Sequence, residues 1–348
     1  MGKTKFDDLQ STDGAFQLKG VVTGVAKDNF YQEKTDKNGN PFRMINFGLQ
    51  TSKESVLYLS LNGLVQKEAF FYNKDAKDAK DKTMRVPWNN RLNFSREGYR
   101  LIGVNLGIQK TLDEKGNEVN DKRTLTPFDA CEYISTNLKD GMSVFVRGKL
   151  EFSSFKNQKG EVQRSAKMIP NQISLCKEVD FDEEGFVPVS DFTQPILFMG
   201  VEYELNEDKS FKQAELDTML VNYNSIEQYG FVIEDGSLAK LFKKNLTPYT
   251  YIKTWGTVST VRNTEEVETE SEGWGSENKM DVVRSPYQRI FVVTGADPTS
   301  IDTKEYSESK IEKALQSLKE ESKEKEQFKT QETDWGDSPI DDEEETGW

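Results

Sequence analysis

The sequence predicts a mainly β chain: two small five-stranded barrels in tandem, the first enlarged by a basic insert, followed by a disordered acidic C-terminal tail. Three observations lead there. Residues 140–173 alternate apolar and polar side chains along the two arms of a long hairpin. The order strand, strand, strand, helix, strand, strand can be traced twice, in 14–177 and again in 196–300. Charge is divided by region: 1–177 holds 29 Lys and Arg against 21 Asp and Glu, 178–300 holds 10 against 23, and 301–348 holds 7 against 16, giving the net −14. Only the front of the chain has the sign that attracts a polyanion.

Residues 1–13 are polar and expected to be flexible. Strands follow over 16–25, 42–50 and 55–61, with Asn38-Gly39 between the first two as a hairpin signal. Residues 63–124 lose the strand rhythm and form the insert, with a charged low-complexity run at 74–82 and two short apolar stretches within 86–108 that suit an extra hairpin. Thr126 is a fair N-cap and Pro127 suits a first helical turn, and Phe128, Cys131, Ile134 and Leu138 recur at near-helical spacing. The long hairpin closes the first set: Val144, Val146, Leu150 and Phe152 on one side, Arg147, Lys149 and Glu151 on the other, with the turn at 157–160. Gly148 in mid-strand suits the sharp bend a small barrel requires.

Residues 178–195 are acidic, contain proline and read as a linker. Further strands are expected over 196–205, 215–223 and 229–233. A helix from Asp235 would carry Leu238, Leu241 and Phe242, and a final hairpin of 249–261 and 287–293 would be joined by an acidic insert at 265–277. This repeated order is that of the OB barrel, a five-stranded sheet closed on itself. In the charged stretch 304–330, Ile311, Leu315 and Leu318 make a stripe too narrow for an isolated helix, so docking is needed to order it.

Composition excludes several functions. The chain has no histidine, which removes Ser-His and Cys-His nucleophile pairs, most zinc sites and the commonest general base. Cys131 and Cys176 show neither metal-ligand spacing nor a disulfide framework, so buried thiols in a reducing cytoplasm are expected. With 35% hydrophobic residues, 30% charged residues and no long apolar run, neither a membrane span nor a secretory signal is visible. No catalysis, metal or cofactor is expected.

Residues 18–52 and 140–173, with the run Gly-x-x-Val-Phe-Val-x-Gly-x-Leu at 141–150, resemble the first and last hairpins of the bacterial and bacteriophage-type single-stranded DNA-binding proteins. The resemblance covers 14–65 and 125–176; the insert and everything after 178 depart from it. It implies sequence-independent binding of single-stranded DNA, or of RNA, in replication, recombination or repair. It also implies assembly into homo-oligomers, and a cytoplasmic setting that is the host's if a phage encodes the chain. Phe155 falls where that family carries a base-stacking ring. The family's acidic terminus recruits partner proteins through its last hydrophobic residues. Here the chain ends Glu-Glu-Glu-Thr-Gly-Trp rather than Pro-Phe, so Trp348, with Trp335 and Ile340, is the anchor by position and chemistry alone.

Gripping an unpaired strand takes rings that stack on bases and cations that track phosphates. Phe30 and Tyr31 close the first strand, and Phe42 and Arg43 open the second. In the insert, where 67–110 holds ten Lys and Arg against five acids, the candidates are Trp88, Arg91, Phe94, Arg96 and Tyr99. Arg147, Lys149, Phe155, Lys156 and Arg164 lie on the last hairpin. Tyr249, Tyr251 and Trp255 have suitable chemistry in the second barrel, but its acidic balance favours a scaffold or partner-binding role there. The alternative for the whole chain is an OB-fold interaction scaffold that does not itself bind nucleic acid. A metal-dependent nuclease has little support.

Overall fold

The computed structural model describes all residues except 1, 3, 7, 37–38, 157–159, 161, 263–286 and 334–348. The first part begins β1 (Gly14–Thr23), β2 (Tyr31–Thr35), β3 (Pro41–Gln50) and β4 (Val56–Leu64). The insert contributes β5 (Glu68–Tyr72), β6 (Thr83–Pro87), β7 (Arg100–Leu101), β8 (Val104–Gly107), β9 (Lys110–Leu112), β10 (Glu118–Asn120) and β11 (Arg123–Leu125). α1 (Pro127–Asn137), β12 (Ser143–Lys156) and β13 (Val162–Leu175) complete it. The second part is β14 (Ser190–Leu205), β15 (Phe211–Val221), β16 (Ile226–Ile233), α2 (Gly236–Asn245), β17 (Thr250–Arg262) and β18 (Tyr287–Asp302), followed by α3 (Glu308–Thr333). No helix among the described residues is long and apolar enough to cross a membrane.

Period-two alternation builds these strands: Phe16, Leu18 and Val22 of β1, Ile45, Phe47 and Leu49 of β3, and Leu57, Leu59 and Leu61 of β4 all point into one core. The helices start on side-chain caps, Thr126 accepting from the Asp129 amide at 3.3 Å and Asp235 from the Ser237 amide at 2.8 Å. The two parts repeat one another residue for residue at their tightest points. Phe16 lies opposite Gly148 in the β1–β12 pair, and Phe192 lies opposite Gly256 in the β14–β17 pair. Each glycine adjoins a register shift, and a Cβ there would run into a carbonyl oxygen, that of Ile169 or of Val292.

The parts close differently. The second closes on itself through a parallel contact of Val232 with Val292. In the first, β4 pairs only with β3 among the described residues, and β13 takes β8 of the insert as its parallel neighbour, Ile173 opposite Leu106. The space between β4 and β13 is bridged from the second part: Arg289 of β18 donates to the Tyr58 carbonyl at 2.9 Å and to the Ala166 carbonyl. Burial holds that guanidinium below its ordinary pKa.

Residues 190–195, expected as linker, are strand. Ser190, Phe192, Gln194 and Ile196 point inward by alternation, and β14 pairs antiparallel with β1, Phe16 opposite Phe192 and Gln17 opposite Asp191. The strand pairing fuses both parts into one sheet over one continuous core. The β12–β13 hairpin crosses the seam as well, Phe152 packing on Tyr229, Phe231 and Phe291 at centroid distances of 4.6 to 5.9 Å.

The N-terminus is not free either. Phe6 and Leu9 are buried with Tyr251, Tyr306, Ile311 and Ala314, and the Thr12 amide donates to the Val221 carbonyl at 2.8 Å. This is the docking that the thin stripe of α3 needs. Tyr306 stacks flat on Tyr251 at 5.2 Å, which removes Tyr251 from any surface role. On α2, Ala239 and Phe242 face the core while Leu241 is exposed. The insert holds a three-stranded sheet, β6–β5–β7, and the separate β9–β10 hairpin, rather than one extra hairpin.

Candidate nucleic-acid interface

The insert candidates mostly face inward. Ala69, Phe71 and Val86 form the buried side of the β5–β6–β7 sheet, with Trp88, Phe94 and Tyr99 packed against them. Phe94 lies 4.7 Å from Phe71, and Trp88 meets Phe128 of α1 edge-on at 6.2 Å. Arg91 covers the Trp88 ring at 4.2 Å and grips Asp129 with Nε at 2.7 Å and Nη2 at 2.6 Å, a bidentate pair whose members are 14% and 11% exposed. Burial pushes the Asp129 carboxyl up, but donation by Arg91 and Thr126 outweighs it and holds the group below its ordinary value. The Tyr99 hydroxyl donates to the Asp81 carbonyl at 2.6 Å. Trp88 and Arg91 therefore fasten the insert to α1, while Phe94 and Tyr99 pack within the insert itself. Arg96 is exposed, its guanidinium 5.1 Å from the Tyr99 ring.

The candidates near the first turn are also engaged within the fold. Phe30 is buried in the core and has no ring face to offer a base. Tyr31 is half-buried; burial and donation to Glu33 at 2.9 Å push its phenol up to about 12. Arg43 bridges Glu33 at 3.2 Å and Glu132 at 2.7 Å and lies 4.0 Å over the Phe128 ring, so its charge is neutralised locally. Phe42 is half-buried, opposite Lys34 and Leu64. A strong intramolecular partner is invisible to composition, which explains why these residues looked available.

The last hairpin divides its candidates between two faces. Alternation along β12 puts Phe145, Arg147, Lys149 and Phe155 on the outer side. Arg147 lies 5.2 Å from the Phe145 ring, Lys149 makes only a loose exposed contact with Glu151 at 3.8 Å, and Phe155 is 58% exposed. Arg164 pairs with Ser154 on the opposite side, where it reaches Gln228 at 3.4 Å, so it does not join them. The side chain of Lys156, the acidic run at 265–277 and Trp335, Ile340 and Trp348 lie outside the described residues.

The seam brings in a ring from the acidic half. Lys149, Ala15, Thr193 and Trp255 are successive cross-strand neighbours on one outer face, where the exposed Trp255 ring lies over Gly295 of β18. A cavity of about 350 Å³ beside them is lined by Gln17, Arg147 and Asp191. β4 carries a pair the sequence reading passed over. Tyr58, on the outer face of β4, is 56% exposed with the Lys27 ammonium 5.8 Å from its ring, and Asn62 and Leu64 continue the same face. The inward alternation of Leu57, Leu59 and Leu61 was the signal that placed Tyr58 outside.

Residues 14–330 match the YorF family, a span that takes in both parts, the insert and most of α3. The chain belongs to the YorF family. No curated protein matches it in sequence. Among solved structures it is similar to the wild-type single-stranded DNA binding protein from Thermus aquaticus, with 10% identity, a TM-score of 0.38, and coverage of 83% of this chain and 93% of that one. A deletion mutant of the same Thermus protein gives the same identity and score, with coverage of 83% and 94%.

Proposed function

We propose that this YorF-family protein binds single-stranded DNA without reading its sequence, and that its two parts are OB-type barrels joined as an internal pair. The observation that carries the reading is the Lys27–Tyr58 pair on the outer face of β3 and β4, an exposed ring with a cation over it. In OB barrels the outer face of the second and third strands, with the loop joining the last two, is where oligonucleotides lie. On this reading β3 and β4 take those strand positions, and exposed Phe155 near the end of β12 takes the part of the loop joining the last two strands. Bases stack on Tyr58 and Phe155 while Lys27 draws in the phosphates. Arg147, Lys149 and Trp255 give the seam a second set of cations and rings.

On this reading the protein has no catalytic step. It coats and protects unpaired DNA during replication, recombination or repair, and the acidic terminus with Trp335, Ile340 and Trp348 recruits partner proteins. The test is a titration of labelled oligo-dT with the full chain and with Tyr58→Ala. Each lost base stack weakens binding by ~1–3 kcal/mol, which is roughly five- to 150-fold. Equal affinity of the variant would move the strand off β3–β4.

A further inference from the structure

The outer face of the small β5–β6–β7 sheet takes no part in fastening the insert. Alternation turns Ala69, Phe71 and Val86 inward, which leaves Phe70 and Tyr72 of β5, Arg85 of β6 and Arg100 of β7 on the other side. Phe70 sits directly opposite Arg85, and Tyr72 directly opposite Arg100. The rings are 37% and 42% exposed, a large apolar area for a sheet so small. The Arg85 guanidinium lies 5.8 Å from the Phe70 ring and 3.8 Å from Glu68, an exposed contact that a phosphate can replace. Exposed Leu64 at the end of β4 borders this face, across a cavity of about 220 Å³.

We infer that this face is a second binding surface for single-stranded DNA, continuing the path that begins at Tyr58 and runs along β4 to Leu64. The inference rests on the proposed function above. Two rings, each flanked by a guanidinium, match alternating base and phosphate. Arg suits such a site because its planar head both stacks and pairs with phosphate oxygens. A chain segment whose charge is strongly positive, ten Lys and Arg against five acids over 67–110, favours a polyanion over a neutral peptide as occupant.

The experiment compares the full chain with F70A/Y72A, with R85A/R100A and with Tyr58→Ala on labelled oligo-dT of increasing length across a salt series, after matching thermal melts. The expected result is that F70A/Y72A binds long oligonucleotides at least about tenfold more weakly. R85A/R100A should lower the salt slope by roughly 1.4, two phosphates at ~0.7 each. In parallel, photocrosslinking of iodouracil-substituted oligonucleotide to the unaltered chain should place the adduct on Phe70 or Tyr72. If the unaltered chain binds and Tyr58→Ala weakens it, while F70A/Y72A binds equally at every length and no adduct maps to β5, the inference fails alone and the face is left to a protein partner. If the unaltered chain takes up no oligonucleotide at low salt, the proposed function fails with it.

Discussion

Phe16 and Phe192 face one another across the β1–β14 pair, each nearly fully buried and each the partner of a glycine, Gly148 or Gly256, in the next strand. The two parts are therefore joined through their cores and not tethered by a linker. The Phe16 ring lies over Gly148, and at both glycines the absence of a side chain lets the bent neighbouring strand approach.

This predicts one cooperative unfolding transition for the chain. Phe192→Ala should cost about 3–5 kcal/mol, the range for removing a buried ring, and should lower the stability of both parts together. Calorimetry with local fluorescent labels on each part checks it. Two separable transitions, with only the second shifted by the variant, would contradict a shared core.

Docking of the insert should depend on Asp129. Its carboxyl is held below the ordinary 3.8, so its contribution is fully present above that value and is lost as pH falls through its folded pKa. Asp129→Asn should remove about 2 kcal/mol of charged hydrogen bonding and raise hydrogen exchange in β5 and β6 at neutral pH, with little further change on acidification. Unchanged protection of those amides would mean that the Trp88–Phe128 contact alone holds the insert.

Much of the fold was legible because alternation is a strong signal where one face of a strand is buried: Val144, Val146, Leu150 and Phe152 defined β12 without ambiguity. The linker reading failed because the acidic run before Ser190 masked the short alternation around Phe192, whose partner strand is 176 positions away. Residues 1–13 looked flexible for a similar reason, since Phe6 and Leu9 find their apolar neighbours only on Tyr306, Ile311 and Ala314 at the other end of the chain. Which side chains reach the surface was legible only in part. Aromatic and basic residues do share surfaces, but Phe71 and Phe70 differ by one position and face opposite ways, so composition alone did not show that Phe94 and Trp88 pack inside the insert while Phe70 and Tyr72 are exposed.

The cysteines give a check on the packing of α1. Burial pushes the Cys131 thiol up to about 12, and its Sγ lies 3.5 Å from the Leu61 carbonyl. Burial also raises Cys176, which is only half-buried. In the native protein at pH 8, a thiol-alkylating reagent should modify Cys176 and leave Cys131 untouched until the chain unfolds. Equal rates at both positions, read by mass spectrometry, would show that α1 does not cover the core beneath β3 and β4.

Binding of unpaired DNA is tested most directly by fluorescence anisotropy of labelled oligo-dT with the full chain across a salt series, repeated with Y58A/F155A. The predicted result is uptake at low salt, affinity falling linearly on a log–log plot with added salt, and at least roughly tenfold weaker binding by the variant at unchanged thermal stability. No uptake at the lowest salt, or equal affinity of variant and parent, would contradict it.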